Sequence, residues 1–267
     1  MTGQTYPTYN LKRYRKWVLP VIALAIAVEG AALVCGADIR ELNSGLIRSF
    51  IFLGQMFPPD WSAFPDLVSP AVDTIVIAVL GTFFGTIISL GFGLAAASNV
   101  APRWLRRLTR GFIRIERALP EIVILLFLVA AFGLGPFGGV VSLTIGCIGM
   151  LGKLFADAIE EIDPVSIEAI EALGASKIQV IYYGVLQPVI PSIISFALFR
   201  FELNIRLSVV LGAVGAGGVG LELYRAFSLL DYNRGCSALI ITLVLVFITE
   251  RLSEYLRSKV RMEGALK

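Results

Sequence analysis

Apolar and polar residues alternate along this chain in long blocks, and six of the apolar blocks have about the length of a membrane-spanning helix. A hydrocarbon core ~30 Å thick needs about 20 apolar residues per helix. The predicted spans are Trp17 to Cys35, Ala71 to Ala97, Ala118 to Leu134, Phe137 to Ala156, Val189 to Leu211 and Gly235 to Ile248. The pattern therefore predicts an all-α, polytopic membrane protein with about six transmembrane helices.

Polar and proline-rich stretches divide the chain around these spans. Residues 1–16 form a polar segment, and residues 17–70 hold the first span and an external loop. Residues 71–256 hold the other spans, and residues 257–267 form a charged tail. Within the external loop, the tract Leu46 to Phe57 is too short to cross a bilayer. It fits either an amphipathic helix at the outer membrane surface or a packed loop.

A polar insert at about residues 157–188, between the fourth and fifth spans, carries signals for a short helix. Asp163 followed by Pro164 is typical of an N-cap and a first-turn proline. Gly174 is typical of a left-handed C-cap. We therefore expect a helix from Pro164 to about Leu173. One side of this helix should carry Ala169, Ile170 and Leu173.

A second helix is predicted to follow at once. Ser176 and Gln179 have the spacing of a capping box, and Pro188 is expected to break the helix that starts there. Two short helices would then meet at a sharp corner. The spacing alone fits both an ordinary surface hairpin between two spans and a loop that contacts another protein.

Composition and charge agree with a membrane protein and exclude several other classes. The chain is 57% hydrophobic and 16% charged, with a mean hydropathy of +0.80, whereas soluble domains have about 25% charged residues. With six spans, 17 of the 23 Lys and Arg residues fall on the side of the two termini and 4 on the other side. Positive loops stay in the cytoplasm, so both termini are predicted to be cytoplasmic. Cations that flank spans indicate no nucleic-acid partner.

Four polar residues lie inside the fifth predicted span: Arg200, Glu202, Asn204 and Arg206. A charge at mid-bilayer costs ~2.5–3.5 kcal/mol, so these side chains are expected to face protein or water. At ~1.5 Å per residue, Glu202 should lie about 21 Å above Pro188, in the outward half of the membrane. Glu202 and Arg206 are four residues apart, which fits either a structural ion pair or a path for an anion.

Residues that carry enzyme chemistry are scarce. The chain has no histidine, and its three cysteines are far apart, without the spacing of a metal or redox site. The run GAVGAGGVG, residues 212–220, contains a GxGxxG pattern without the strand and helix of a dinucleotide site. It predicts non-helical or tightly packed backbone at the outer end of the fifth span. We predict no catalytic residue and no cofactor.

The insert at residues 157–188 also resembles the cytoplasmic coupling loop of ABC importer permeases. That motif has EAA, three residues and a glycine, and Glu168, Ala169 and Gly174 match its spacing. Glu171 and Ala172 give a second, shorter register. The stretches at residues 116–145, 151–163 and 199–220 further resemble the phosphonate and phosphite importer permeases, and the likeness covers most of residues 71–256.

The resemblance implies a type I importer fold and a role in moving a small phosphorus oxyanion across a bacterial inner membrane. Its implied partners are a cytoplasmic ATPase dimer, an external solute-binding protein and a second copy of the chain within the lipid bilayer. The ATPase-coupling residues would be Glu168, Ala169, Glu171, Ala172, Leu173 and Gly174. The alternatives are import of another solute such as an amino acid, or an ATP-independent channel or secondary transporter.

Overall fold

The computed structural model describes residues 11–36 and 39–265, with side chains for residues 16–36 and 43–260. The chain divides into two compact units, residues 1–55 and 56–267. The helices are α1 (Leu11–Val34), α2 (Ile39–Met56), α3 (Phe64–Ala96), α4 (Arg103–Ala118), α5 (Glu121–Phe132), α6 (Pro136–Glu160), α7 (Pro164–Ala172), α8 (Lys177–Gln179), α9 (Gln187–Leu211), α10 (Gly218–Ser228) and α11 (Tyr232–Ala265).

The first unit consists of α1 and most of α2. The described side chains of α1 are almost all exposed apolar groups, and Lys16–Val34 is long and apolar enough to cross a membrane. The tract Leu46 to Phe57 lies mostly on α2 and is therefore helical, while its place at the outer membrane surface stays a prediction. Its apolar side chains from Leu46 to Leu53, such as Phe50, are exposed, whereas Met56 is buried.

Four of the other predicted spans also correspond to helices of sufficient length, within Trp61–Ala96, Pro136–Glu160, Lys177–Ala216 and Tyr232–Val260. The third predicted span differs. Its apolar part forms α5, which has only 12 residues and is therefore about 18 Å long. Pro120 precedes α5, and Gly133 with φ +87° ends it. Pro120 prevents α4 from continuing into α5, because proline has no amide hydrogen for the helical hydrogen bond. Gly133 ends α5, because its positive φ turns the backbone out of the helix.

Close packing of α3 against α6 forms the centre of the second unit. Gly81 lies against Leu143, Gly85 against Cys147, and Gly93 against Phe155. A methyl group on Gly81 would lie 2.7 Å from Leu143 Cβ, so a larger residue has no room. Small residues at a helix interface let two backbones approach closely.

The fifth span does not begin where the sequence predicts. Pro188 is expected to break the preceding helix, but this prediction is wrong, since the helical path continues from Lys177 to Ala216. A π-helical stretch, Val180–Leu186, connects α8 to α9, and Pro188 lies in the first turn of α9. The wider π turn changes the hydrogen-bond pattern at that point, so the missing amide hydrogen of proline does not end the helix.

The outer end of α9 is irregular, as the glycine run predicts. Gly215, Gly217 and Gly218 have φ of +123°, +87° and +70°, which separates α9 from α10. Thr74 Oγ1 accepts a hydrogen bond of 2.9 Å from Val219 N and so anchors the start of α10 on α3.

Just before α3, hydrogen bonds from Ser62 lower the pKa of the Asp60 carboxyl below its ordinary value.

The last helix is longer than predicted. The sequence places the sixth span at Gly235 to Ile248 and the tail from residue 257, but α11 continues to Ala265. Its charged half packs on α9, where Arg257 Nη2 lies 3.3 Å from Glu202 Oε2. Arg257 is therefore level with the middle of α9 rather than beyond the end of a helix.

Candidate functional site

The insert between α6 and α9 has the predicted local structure. Asp163 Oδ1 accepts a hydrogen bond of 3.0 Å from Val165 N and caps α7. Gly174 has φ +81°, a conformation in which a side chain is strained. Ser176 N donates a hydrogen bond of 2.8 Å to Gln179 Oε1 within a capping box. The caps confirm that α7 ends in a sharp turn.

α7 has an inner face and an outer face. Ile167 and Ile170 lie against Gly184 of the π-helical stretch, where a methyl group would be 3.3 Å from Ile170 Cδ1. Ile170 is predicted on the same side as Ala169 and Leu173, and this prediction is wrong because Ile170 packs inward. The outer face is exposed and consists of Glu168, Ala169, Glu171, Ala172 and Leu173.

Exposed apolar side chains surround this outer face. Leu173 is 86% exposed and Ile178, just beyond the Gly174 turn, is 80% exposed. Val165 at the start of α7 is 67% exposed. Scattered apolar residues are normal on a surface, but a group of them beside a polar rim is typical of a protein interaction site.

Arg200 of α9 lies in a buried cluster that joins α9, α5 and α6. Its Nη2 donates a hydrogen bond of 2.6 Å to Glu121 Oε1, and its Nη1 lies 3.5 Å from Met150 Sδ. The Arg200 side chain is 5% exposed and the Glu121 side chain 18%. Gly146 provides the space, since a methyl group there would lie 2.9 Å from Arg200 Nη2.

Asn204, one turn beyond Arg200, extends this polar cluster into α3. Asn204 Nδ2 donates a hydrogen bond of 2.8 Å to Thr82 Oγ1 and lies 3.4 Å from Cys147 Sγ. Several buried polar atoms of the cluster have no hydrogen-bond partner among the described residues. They are Glu116 Oε2, Glu121 Oε2, Arg200 Nε and Asn204 Oδ1.

Glu202 and Arg206 face the other side of α9 and belong to a second network. Arg206 Nη2 lies 2.7 Å from Glu202 Oε1, so the predicted pair is present. Arg257 also contacts Glu202, and Glu250 Oε2 lies 3.5 Å from Arg206. The Arg206 side chain is 45% exposed, whereas Arg200 is buried.

The structure therefore divides the four polar residues of the fifth span into two pairs on opposite faces. Sequence analysis missed Glu121 as the partner of Arg200, because 79 residues separate them. The sequence did contain one signal for this contact, because Glu121 is an acidic residue at the start of an apolar block and needs a partner there. Within the described part of the chain, no three His, Cys, Asp or Glu side chains come together as a metal site.

Comparisons with known proteins agree with this architecture. The family model described as binding-protein-dependent transport system inner membrane component matches residues 88–262. HtxC of Stutzerimonas stutzeri, a proposed phosphite transport system permease protein, is 37% identical over 258 residues, which are 95% of this chain and 91% of that protein. The phosphate-import permease protein PhnE of Mycolicibacterium smegmatis is 39% identical over 207 residues, which are 77% of this chain and 39% of that protein.

Solved structures of ABC transporters have a similar fold. A chain of the methionine ABC transporter MetNI in an inward-facing conformation superposes with a TM-score of 0.67 at 24% identity. The superposition covers 75% of this chain and 99% of that chain. This likeness concerns the arrangement of helices.

Proposed function

Because the chain belongs to the family of binding-protein-dependent transport system inner membrane components, we propose that it forms the translocation path of an ATP-binding cassette importer for a small phosphorus oxyanion, phosphonate or phosphite. The names of the relatives, a phosphite transport permease and a phosphate-import permease, support this class of solute. The structural observation that carries the proposal is the exposed, capped α7, whose turn at Gly174 leads into the helical path from Lys177 to the intramembrane charges of α9.

We infer that the outer face of α7 contacts separate cytoplasmic ATPase subunits, which supply the energy. Glu168, Ala169, Glu171 and Ala172 would line the contact, Leu173 would insert into an apolar groove, and Gly174 would provide the turn. An amphipathic helix laid into a groove is a common mode of protein recognition. Movement of α7 would then reach α9 through the π-helical stretch.

Two copies of the chain would enclose the path, with a solute-binding protein delivering the anion from outside. Both termini would be cytoplasmic, as the distribution of Lys and Arg favours. Of the two intramembrane pairs, the network of Glu202 and Arg206 supports a place on the path, because Arg206 is half-exposed. Arg200 and Asn204 would have a structural role, since both are buried within the bundle.

Uptake of labelled phosphite by cells that express the complete transporter tests this function. Replacement of Leu173 by aspartate should abolish uptake and co-purification of the ATPase subunits, while the permease still inserts, because Leu173 is 86% exposed and supports no internal packing. Gly174→Val should also abolish uptake, because valine is strained at φ +81°.

Gly91→Val is the matched control for the glycine change. A methyl group on Gly91 of α3 would have no other atom within 4 Å, and Gly91 has no positive φ, so this variant should transport normally. Normal ATP-dependent uptake in both Leu173→Asp and Gly174→Val would refute the coupling assignment. Phosphite uptake that does not depend on ATP hydrolysis would refute the importer itself.

A further inference from the structure

The surface of α4 is divided into three faces, each with different chemistry. A residue advances about 100° around a helix, and the exposures follow this period. The buried face carries Thr109, Ile113 and Glu116. The exposed apolar face carries Trp104, Leu108, Phe112 and Ile115. The third face, roughly opposite the apolar one, carries Arg103, Arg106, Arg107, Arg110, Arg114 and Arg117.

The contacts of α4 with α6 place its last turns well inside the membrane. Ile113 lies opposite Gly152, where a methyl group would be 3.4 Å from Ile113 Cδ1, and the Glu116 carboxylate lies over Gly149. Gly149 is 11 residues before Glu160 at the cytoplasmic end of α6, which corresponds to about 16 Å. α6 has 25 residues, about 37 Å, which is about 7 Å longer than a ~30 Å hydrocarbon core. The level of Gly149 is therefore at least about 9 Å inside that core.

A cavity of about 170 Å³ lies between the arginine face of α4 and α6. A cavity of this volume has room for several water molecules or for one phosphate-sized group. The charged lining groups are Arg110, Arg114, Arg117, Lys153 and Asp157. Four cations thus face one carboxylate, and we call this space the basic cavity.

Two of the four cations already have acidic partners. Arg110 Nη2 lies 2.5 Å from Glu160 Oε1, and Lys153 Nζ lies 2.7 Å from Asp157 Oδ2. Arg114 and Arg117 form no ion pair with any side chain that the structure describes, and both are exposed. The basic cavity therefore has two arginines without an ion-pair partner among the described side chains.

The basic cavity lies at the level of Lys153 and Asp157 of α6, about 10 Å and about 4 Å from Glu160, so it lies near the cytoplasmic edge of the hydrocarbon core. Unpaired arginines there require water, an anion or lipid phosphate, since a cation inside the hydrocarbon core is costly. The apolar face of α4, in contact with Phe92 of α3 at a ring distance of 5.3 Å through Phe112, is the face suited to lipid. The basic cavity lies on the other side of α4, so it is suited to an aqueous route through the protein.

We propose that the basic cavity binds a tetrahedral phosphorus oxyanion on the cytoplasmic half of its route, with Arg114 and Arg117 as the binding groups. The proposal rests on the function proposed above. Guanidinium groups bind phosphate-type oxygens through paired, charge-assisted hydrogen bonds. A phospholipid headgroup has the same chemistry, but the apolar face of α4 points away from the cavity, which favours the soluble anion.

The test measures binding to the permease alone, so it does not depend on ATP, on the partner proteins or on uptake. Purified full-length permease is placed in phosphatidylcholine nanodiscs, and millimolar inorganic phosphite is titrated while its ³¹P line width is recorded. Arg114→Gln with Arg117→Gln should weaken binding tenfold or more. Arg107→Gln is the matched control, because Arg107 is exposed on the same face of α4 and does not line the cavity.

Each outcome decides the proposal. Binding by the wild type and by Arg107→Gln, with loss in the double variant and partial recovery in Arg114→Lys with Arg117→Lys, which keeps both charges, supports it. Equal binding by the wild type and the double variant, or no binding by either, overturns it. Copurification of phosphatidylglycerol by the wild type but not by the double variant, without phosphite binding, assigns the cavity to a lipid headgroup instead. Failure of phosphite uptake with normal phosphite binding would reject the proposed function and leave the cavity assignment standing.

Discussion

Replacement of Arg200 by glutamine should destabilise the protein far more than the same change at Arg206. Arg200→Gln leaves Glu121 as a charge that is 18% exposed and has no other cation within ion-pair distance among the described residues. Removal of one partner from a buried pair costs ~3–5 kcal/mol. Arg206 is 45% exposed, and Glu202 keeps Arg257 after its loss. Because solvent screens exposed pairs, the cost of Arg206→Gln should be no more than about 1 kcal/mol.

Thermal unfolding of the purified permease measures this difference. For domains of 150–250 residues, 1 kcal/mol corresponds to about 2–4 °C in Tm, so Arg200→Gln should lower Tm by about 6 °C or more and Arg206→Gln by about 4 °C or less. Arg251→Gln is the control, since Arg251 is 69% exposed and lies 3.9 Å from Glu254. Glu121→Gln combined with Arg200→Gln should recover much of the loss. Equal shifts for Arg200→Gln and Arg206→Gln would refute the reasoning from burial.

Three further changes probe other contacts. Thr82→Val removes the acceptor of Asn204 Nδ2 and should cost ~1–3 kcal/mol, measured by thermal unfolding; an unchanged Tm would mean that water replaces the hydroxyl. Gly218→Ala introduces a side chain at φ +70° against Thr74, so the yield of folded permease on size exclusion should fall, and a wild-type yield would contradict the close packing there. Asp163→Ala removes the cap of α7 at a cost of ~1 kcal/mol and should increase proteolysis within α7, whereas equal cleavage rates would argue against the cap.

Helix caps and turns that depend on a few neighbouring residues were predicted correctly from the sequence. Asp163, Gly174 and the Ser176–Gln179 box act within a few residues, and each adopts the predicted conformation. The glycine run at residues 212–220 gave the irregular end of α9 for the same reason. The importer-permease family and the all-α fold are likewise confirmed.

Features that depend on the surrounding structure could not be predicted from the sequence. Pro188 is a helix breaker by propensity, but the preceding π-helical turn accommodates it. Arg200 pairs with Glu121 from another helix rather than with a residue one turn away. The sequence also does not show that several arginines of α4 line a cavity along α6. For Arg200 and for the arginines of α4, the deciding contact joins residues that are distant in the sequence.

The glycine contacts between α3 and α6 have a mechanical consequence. Gly81, Gly85 and Gly93 extend over 12 residues, about 18 Å, along which the two backbones are pressed together. Two helices packed this closely are expected to move together as one rigid unit. Large relative motions should therefore involve the other helices. α9 lies between the π-helical stretch Val180–Leu186 and the kinked glycine segment Gly212–Ala216, in which Gly215 has a non-helical φ of +123°. π-helical turns frequently occur at functional sites. We therefore expect α3 and α6 to stay fixed relative to each other, and α9 to change its angle to them by bending at these two segments.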